Sequence, residues 1–172
     1  MRCRSLPQQI IKMKSDYEIN SAVEKYADMI RRICLLHLKN YHDTEDIFQT
    51  VFLKYFLSSE SFESDEHEKA WFIRITINAC KDFLKSFYRR NVVPLDAIEE
   101  GEVLVSDEQS EVLEAVLSLP SKYKNVIYLF YYEGYTAVEI AKLLHKKDNT
   151  VYTLLARARN LLKDRLGGDD FE

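Results

Sequence analysis

Residues 136–159 read TAVEIAKLLHKKDNTVYTLLARAR, and the fold is decided there. Thr136-Ala-Val-Glu139 is a capping box, in which a hydroxyl and a carboxylate satisfy each other's orphan backbone amides at a helix start. The helix it opens runs to Leu144 and stops at the polar run His145-Lys-Lys-Asp-Asn149. A second helix follows from about Asn149 to Leu166, with Val151, Leu154, Leu155, Ala158, Leu161 and Leu162 at three- and four-residue spacing; Gly167 and Gly168 end it. Two short helices on a tight turn are the layout of a helix-turn-helix, whose second helix enters the major groove. Ile140, Ala141 and Leu144 are placed to pack on Val151 and Leu155, and Ala141 is small where the helices cross. Asn149, Thr150, Tyr152, Thr153 and Ala156 then face the groove, and Arg157 and Arg159 lie further on to meet phosphates. A plain helical hairpin shares the apolar pattern. The capping box, the small residue and the basic second helix together favour DNA.

Working back toward the N-terminus, two more short helices complete a four-helix unit over 111–166. One spans 111–118 with Val112, Leu113, Val116 and Leu117. The next starts at Pro120, whose missing N–H costs nothing in a first turn, carries Val126 to Tyr131 and ends near Gly134. Residues 91–110 have weak periodicity, Pro94 and Gly101, and read as a linker. Eight acids and no Lys or Arg fall within 96–114. Before the linker, 15–90 reads as three helices: about 21–39 behind a capping box Ser21–Glu24, a second capped by Asp43 or Thr44 after a turn at 40–43, and a third over 68–88. The fold class is therefore all-α, with two small helical domains (15–90 and 111–166) on a flexible acidic tether.

Two further constellations carry chemistry. Asp43-Thr-Glu45-Asp46-Ile-Phe48-Gln49-Thr-Val-Phe52 puts acids in the first turn of a helix, where the dipole favours negative charge. No His or nucleophile follows on the same face, so this is a solvated helix start or a docking surface for a basic partner. In the third helix Arg74, Asn78, Lys81 and Lys85 share one face beside Lys69, Trp71 and Phe72. Such a ridge grips phosphates and stacks unpaired bases; a lone Trp at this spacing is otherwise a core residue. Residues 69–90 carry six bases against Asp82 alone, and 115–166 carry nine against four acids. Two basic surfaces on either side of an acidic tether outweigh the net charge of −4 and suit two contacts with one polyanion.

Other classes are disfavoured. No Gly-rich phosphate loop, metal-ligand spacing or Ser/His/Asp arrangement occurs, so neither enzyme chemistry nor a cofactor or metal is expected. His37, His42, His67 and His145 are scattered and read as surface or boundary residues. Cys3, Cys34 and Cys80 are widely spaced and read as reduced thiols of a cytoplasmic protein, the last two buried. No apolar run approaches the roughly 20 residues of a membrane helix. The basic stretch Met1–Lys14 lacks a signal peptide's apolar core, and Met13 offers a second start.

The ordered set resembles the extracytoplasmic-function (ECF) sigma factors, the two-domain members of the main bacterial sigma family. The resemblance covers about residues 15–90 and 108–166. Asp43 to Phe56 is similar to the family's polymerase-docking helix, and Ala70-Trp71-Phe72-Ile73-Arg74-Ile75 with Asn78 to its helix for the −10 element. Leu119-Pro120-Ser-Lys-Tyr123, Glu133-Gly134-Tyr135-Thr136, Glu139-Ile140-Ala141, Thr150-Val151 and Ala156-Arg157-Ala158-Arg159 resemble its C-terminal domain. The resemblance implies docking of core RNA polymerase, at the clamp helices of β′, through Asp43, Glu45, Asp46, Phe48, Gln49 and Phe52. It implies capture of the melted −10 strand by Lys69, Trp71, Arg74, Asn78, Lys81 and Lys85. It implies reading of the −35 element by Lys146, Lys147, Asn149, Thr150, Tyr152, Thr153, Arg157 and Arg159. It also makes an anti-sigma partner plausible. The polymerase would do the chemistry.

Three departures stand out. Thr50 follows Gln49 where the family has Glu. The turn of the helix-turn-helix has His145-Lys146 where the family has Gly and an apolar residue, and Tyr152 and Leu154 replace basic residues. The expectation is a phosphate contact shifted onto Lys146 and Lys147. The rival readings are a helix-turn-helix regulator that acts without polymerase and a helical protein-binding adaptor. The first leaves the acidic helix unexplained; the second leaves both basic surfaces unexplained.

Overall fold

The structure, a computed structural model, describes residues 13–90 and 110–167. Among them are seven α-helices and one π-turn, with no strand. The segment read as a linker lies outside the described residues except for Ser110, which opens α4.

Helix α1 (Asp16–Leu38) starts earlier than Ser21, because Ser15 and Glu18 form the capping box: the Glu18 amide donates to Ser15 Oγ at 3.3 Å and the Ser15 amide to Glu18 Oε2 at 2.9 Å. These bonds favour the ionised carboxylate and hold Glu18 below its usual range. Helix α2 (Tyr41–Phe56) begins inside the stretch read as a turn. Its cap is Asn40, whose side-chain oxygen accepts from the Asp43 amide at 3.1 Å, rather than Asp43 or Thr44. Helix α3 (Asp65–Arg90) completes an N-terminal three-helix unit, each helix packed on the other two. Ile30, Ile33 and Cys34 of α1, Val51 and Tyr55 of α2, and Phe72, Ile73 and Cys80 of α3 are buried at its centre. Cys34 and Cys80 are thiols there, with their sulfurs 3.9 Å apart. The buried Tyr26 and Tyr55 hydroxyls need partners, and both donate to the Glu68 carboxylate, at 3.1 and 2.6 Å.

In the C-terminal half α7 (Asp148–Arg165) is the axis, against which α4 (Ser110–Leu117), α5 (Ser121–Ile127) and α6 (Ala137–Leu143) pack. Val126, Leu129, Ile140, Val151, Leu155 and Ala158 fill the core between them. Helix α5 runs into a π-turn, Tyr128–Tyr132, where the Glu133 amide reaches back five residues to the Tyr128 carbonyl at 3.1 Å. Tyr128 and Leu129 stay buried, while Tyr131 and Tyr132 are turned to solvent. Gly134 follows in the left-handed region, at φ 76°.

The two halves touch where the end of α1 meets α5. The Lys124 ammonium donates to the Leu36 carbonyl at 2.8 Å, and His37 Nε2 lies 2.7 Å from Asn125 Oδ1. Leu36, His37, Lys124 and Asn125 are all buried. His37 is therefore not the surface or boundary residue expected of it. Burial pulls the His37 imidazole down to about 4 and the Lys124 ammonium down to about 8, because each loses the water that would solvate its charge. Lys69 of α3 pairs with Glu133 at 2.8 Å, and Arg32 of α1 lies over the Tyr132 ring at 5.0 Å.

Candidate nucleic-acid interface

Three polar surfaces stand out from this scaffold. The first is the start of α2. Asp46 and Gln49 face solvent there, with exposed Leu53 on the same side at helical spacing. Leu53 is not among the docking residues expected from the sequence, because a single leucine beside an apolar stripe carries no signal of exposure. Glu45 is tied to Arg31 by contacts of 2.8 and 3.4 Å, and the same guanidinium covers the Phe48 ring at 4.1 Å. Phe48 packs against Phe52 with the rings tilted (4.9 Å between centroids), and Phe52 reaches Phe72 in the core (5.5 Å). Of the six expected docking residues, Asp46 and Gln49 are thus fully presented; Asp43, Glu45, Phe48 and Phe52 are half-buried.

The second surface is the outer face of α3. Asn78, Lys81 and Lys85 are exposed and Arg74 is half-buried, while Phe72, Ile73, Thr76, Ile77 and Cys80 face inward. The Thr76 hydroxyl, buried on that inner side, donates to the Phe72 carbonyl one turn back at 2.7 Å. Trp71 is only 7% exposed and packs against Tyr55 and Phe62, each at 5.8 Å between centroids. Its indole is a wall of the core and presents no open face to a base. Beside it the 57–64 segment, between α2 and α3, is shaped. Lys14 donates to the Glu60 carbonyl at 2.7 Å and lies over the Tyr55 and Phe62 rings at 5.4 and 5.1 Å. The result is an open cleft of about 480 Å³ whose walls include Tyr17, Tyr55, Phe62 and Glu68. Lys69 also departs from expectation: it is held by Glu133 and lies over the Tyr135 ring at 5.5 Å.

The third surface is the helix-turn-helix. Thr136 caps α6 as expected, and its bonds hold the Glu139 carboxyl below its usual range. The helix closes in a Schellman arrangement: the Lys146 amide bonds the Ala141 carbonyl at 2.8 Å and the His145 amide that of Lys142 at 3.3 Å. This arrangement needs a left-handed residue after the cap, and His145 supplies it at φ 52°. On α7, Asn149, Thr150, Tyr152, Thr153, Ala156 and Arg157 are exposed opposite buried Val151, Leu154, Leu155 and Ala158, and Lys146 and Lys147 are exposed in the turn. Leu154 lies in the core, so having Leu there removes no cation from the surface; Tyr152 alone makes that change. Arg159 folds back, its Nε donating to the Tyr131 hydroxyl at 2.6 Å with Phe130 at 5.5 Å.

Comparison with known proteins gives these surfaces a family. Residues 22–90 match the model of sigma-70 region 2, and residues 109–162 match that of sigma-70 region 4. The chain is 31% identical to the RNA polymerase sigma factor SigV of Bacillus subtilis, over 81% of this chain and 85% of that one. It is 28% identical to the ECF RNA polymerase sigma factor SigW of the same organism, over 84% and 86%. Its fold is similar to that of the sigma factor RpoE of Bartonella quintana, solved in complex with the anti-sigma factor NepR, with a TM-score of 0.74 at 19% identity over 89% and 99% of the two chains. No helix among the described residues is long and apolar enough to cross a membrane. The chain belongs to the sigma-70 family, in its ECF branch, and is a sigma factor serving promoter recognition.

Proposed function

We propose that this sigma factor divides its work among the three surfaces: α2 docks the clamp helices of the polymerase β′ subunit, the outer face of α3 holds the melted −10 strand, and α7 reads the −35 element. The observation that carries the reading is on α7, where every expected groove-facing residue from Asn149 to Arg157 is exposed while Val151, Leu154 and Leu155 are buried. On α2 the docking contact centres on Asp46, Gln49 and Leu53, with Phe48 and Phe52 supporting the helix from beneath. On α3, Asn78, Lys81 and Lys85 meet phosphates. With Trp71 inside the core, stacking of unpaired bases falls to the cleft, where Tyr17 is 82% exposed and Phe62 half-buried.

The two domains are taken as 15–90 and 111–166, with 91–110 as their tether. The polymerase does the chemistry, the chain works in the cytoplasm without cofactor or metal, and an anti-sigma protein holds it inactive until it is needed.

The test is capture of purified bacterial core RNA polymerase by the wild-type chain and by an Asp46→Arg, Gln49→Ala double variant, both side chains being exposed so that the fold is spared. Wild type retains polymerase and the variant does not. Equal retention by both removes α2 from the docking role.

A further inference from the structure

Arg157 and Arg159 both lie on α7 and both are exposed, yet they point to different places. Two residues apart on a helix, they diverge by about 200° around its axis. Asn149, Thr153 and Ala156 lie between them on the exposed side, and Val151, Leu155 and Ala158 are buried on the other. The two arginines therefore flank the base-facing strip. A helix in the major groove, which is about 12 Å wide, runs between two phosphate backbones. Placed there, α7 turns Arg157 toward one backbone and Arg159 toward the other. Lys163, exposed one turn beyond Arg159, extends the second flank.

Arg159 is held in place from outside its own helix. Its Nε donates to the Tyr131 hydroxyl at 2.6 Å, and its guanidinium lies 5.5 Å from the Phe130 ring and 5.7 Å from the Tyr131 ring. Those two rings meet edge to face at 5.1 Å, and Phe130 is half-buried, so Tyr131 stands on a fixed base within the π-turn. Such a contact adds little to stability, because Tyr131 is 58% exposed, Arg159 is exposed, and water competes for both groups. What it supplies is orientation. A free arginine samples many rotamers and loses them on meeting a phosphate, whereas a held one has lost them already. With Nε engaged, the two Nη groups remain to donate, and they form a fork that matches two phosphate oxygens. The chemistry of the partner matters too. Arg31 is bridged by the Glu45 carboxylate, which offsets its charge. A phenol is neutral, so Tyr131 fixes Arg159 and leaves its full charge for a polyanion.

We propose that Tyr131 is a positioning residue for DNA recognition: its hydroxyl pins Arg159 so that the free Nη edge of the guanidinium meets a backbone phosphate on the flank of the groove away from Arg157. The proposal rests on the assignment of α7 to the −35 element. It adds to that assignment a residue outside the helix-turn-helix, brought to it by the π-turn.

The test uses holoenzyme assembled from purified core RNA polymerase and the full chain. The probe is the duplex that wild-type holoenzyme selects from a random-sequence pool, labelled with fluorescein and read by anisotropy over a range of salt. Arg159→Ala weakens binding about tenfold and lowers the salt slope by about 0.9, the share of one phosphate contact. Tyr131→Phe keeps the ring and every charge and leaves the melting temperature of the chain unchanged, yet weakens binding about threefold. In an Arg159→Ala background Tyr131→Phe costs nothing more. Arg159→Lys keeps the charge but not the Nε bond, and it too is insensitive to Tyr131→Phe. Full affinity in Tyr131→Phe overturns the proposal. An equal loss in both backgrounds also overturns it, since Tyr131 would then act without Arg159. Arg157→Ala separates this idea from the one beneath it. If Arg157→Ala lowers the slope and Arg159→Ala does not, α7 keeps its groove and the role of Tyr131 falls. If neither lowers it, the −35 assignment falls as well.

Discussion

Lys124 of α5 donates its ammonium to the carbonyl of Leu36, in the last turn of α1, from 88 residues further along the chain. The last four carbonyls of a helix lack intrahelical partners, and the negative end of the helix dipole favours a cation there. Replacing Lys124 with Ala leaves that buried carbonyl bare and removes the packed stem. A loss of about 1–3 kcal/mol is expected, the usual cost of a buried group left unsatisfied. The urea midpoint of the full chain measures it, and an unchanged midpoint refutes it.

The His37 imidazole sets an acid limit on the same contact. Its value of about 4 lies below that of an ordinary histidine, so the packed state prefers it neutral. As pH falls below about 6.5 the unfolded chain takes up a proton that the packed state refuses. Stability is therefore lost between about 6.5 and about 4, by roughly 3 kcal/mol in all. Wild type should lose that much more than a His37→Gln variant when urea midpoints at pH 7 and pH 4 are compared. Parallel losses in the two proteins would remove His37 as the cause.

Trp71 and Asn78 should separate core from contact. Trp71→Ala empties a core site and is expected to cost about 3–5 kcal/mol of stability. Asn78→Ala is expected to leave the melting temperature in place while weakening −10 single-strand binding by the polymerase complex. If Trp71→Ala melts like wild type but fails on DNA, the indole leaves the core in the working state.

Lys146 and Lys147 sit in the turn before α7, exposed and clear of its base-facing residues. Converting both to Ala should weaken promoter binding about equally across sequences. It should also lower the salt slope by nearly 2, roughly 0.9 for each lost phosphate contact. Thr153→Ala, in contrast, should change sequence preference and leave the slope alone. A slope unmoved by the double change would mean that neither lysine meets a phosphate.

His145 adopts a left-handed conformation at φ 52° without being glycine. The strain of a side chain there is about 1 kcal/mol. His145→Gly should raise the thermal midpoint by several degrees without altering DNA affinity. A lower midpoint would show that the imidazole makes a compensating contact.

What the sequence made legible was local. The all-α class, the Thr136 capping box, and the buried and exposed faces of α7 follow from spacings of three and four residues, which a chain cannot disguise. The start of α1 was misplaced because Ser15–Glu18 and Ser21–Glu24 offer the same box, and nothing nearby tells which one the chain uses. Trp71 stayed open between core and base contact for a related reason: a helical wheel gives the stripe, not its edges, so an aromatic at the rim can fall either way. Lys69 with Glu133, and His37 with Asn125, were invisible, because each pair joins residues far apart in sequence whose types promise surface rather than contact.

The π-turn at Tyr128–Tyr132 makes the chain sensitive to length as well as to residue type. Each residue of an α-helix advances about 100° around its axis. Taking one residue out of this turn restores the common winding, and Glu133 then swings by about that angle away from both Lys69 and Tyr128. The helix-turn-helix is capped independently at Thr136 and keeps its own shape. A one-residue deletion could therefore alter how the two halves are coupled while leaving each half intact, a route to a new behaviour that no substitution at the surface reproduces.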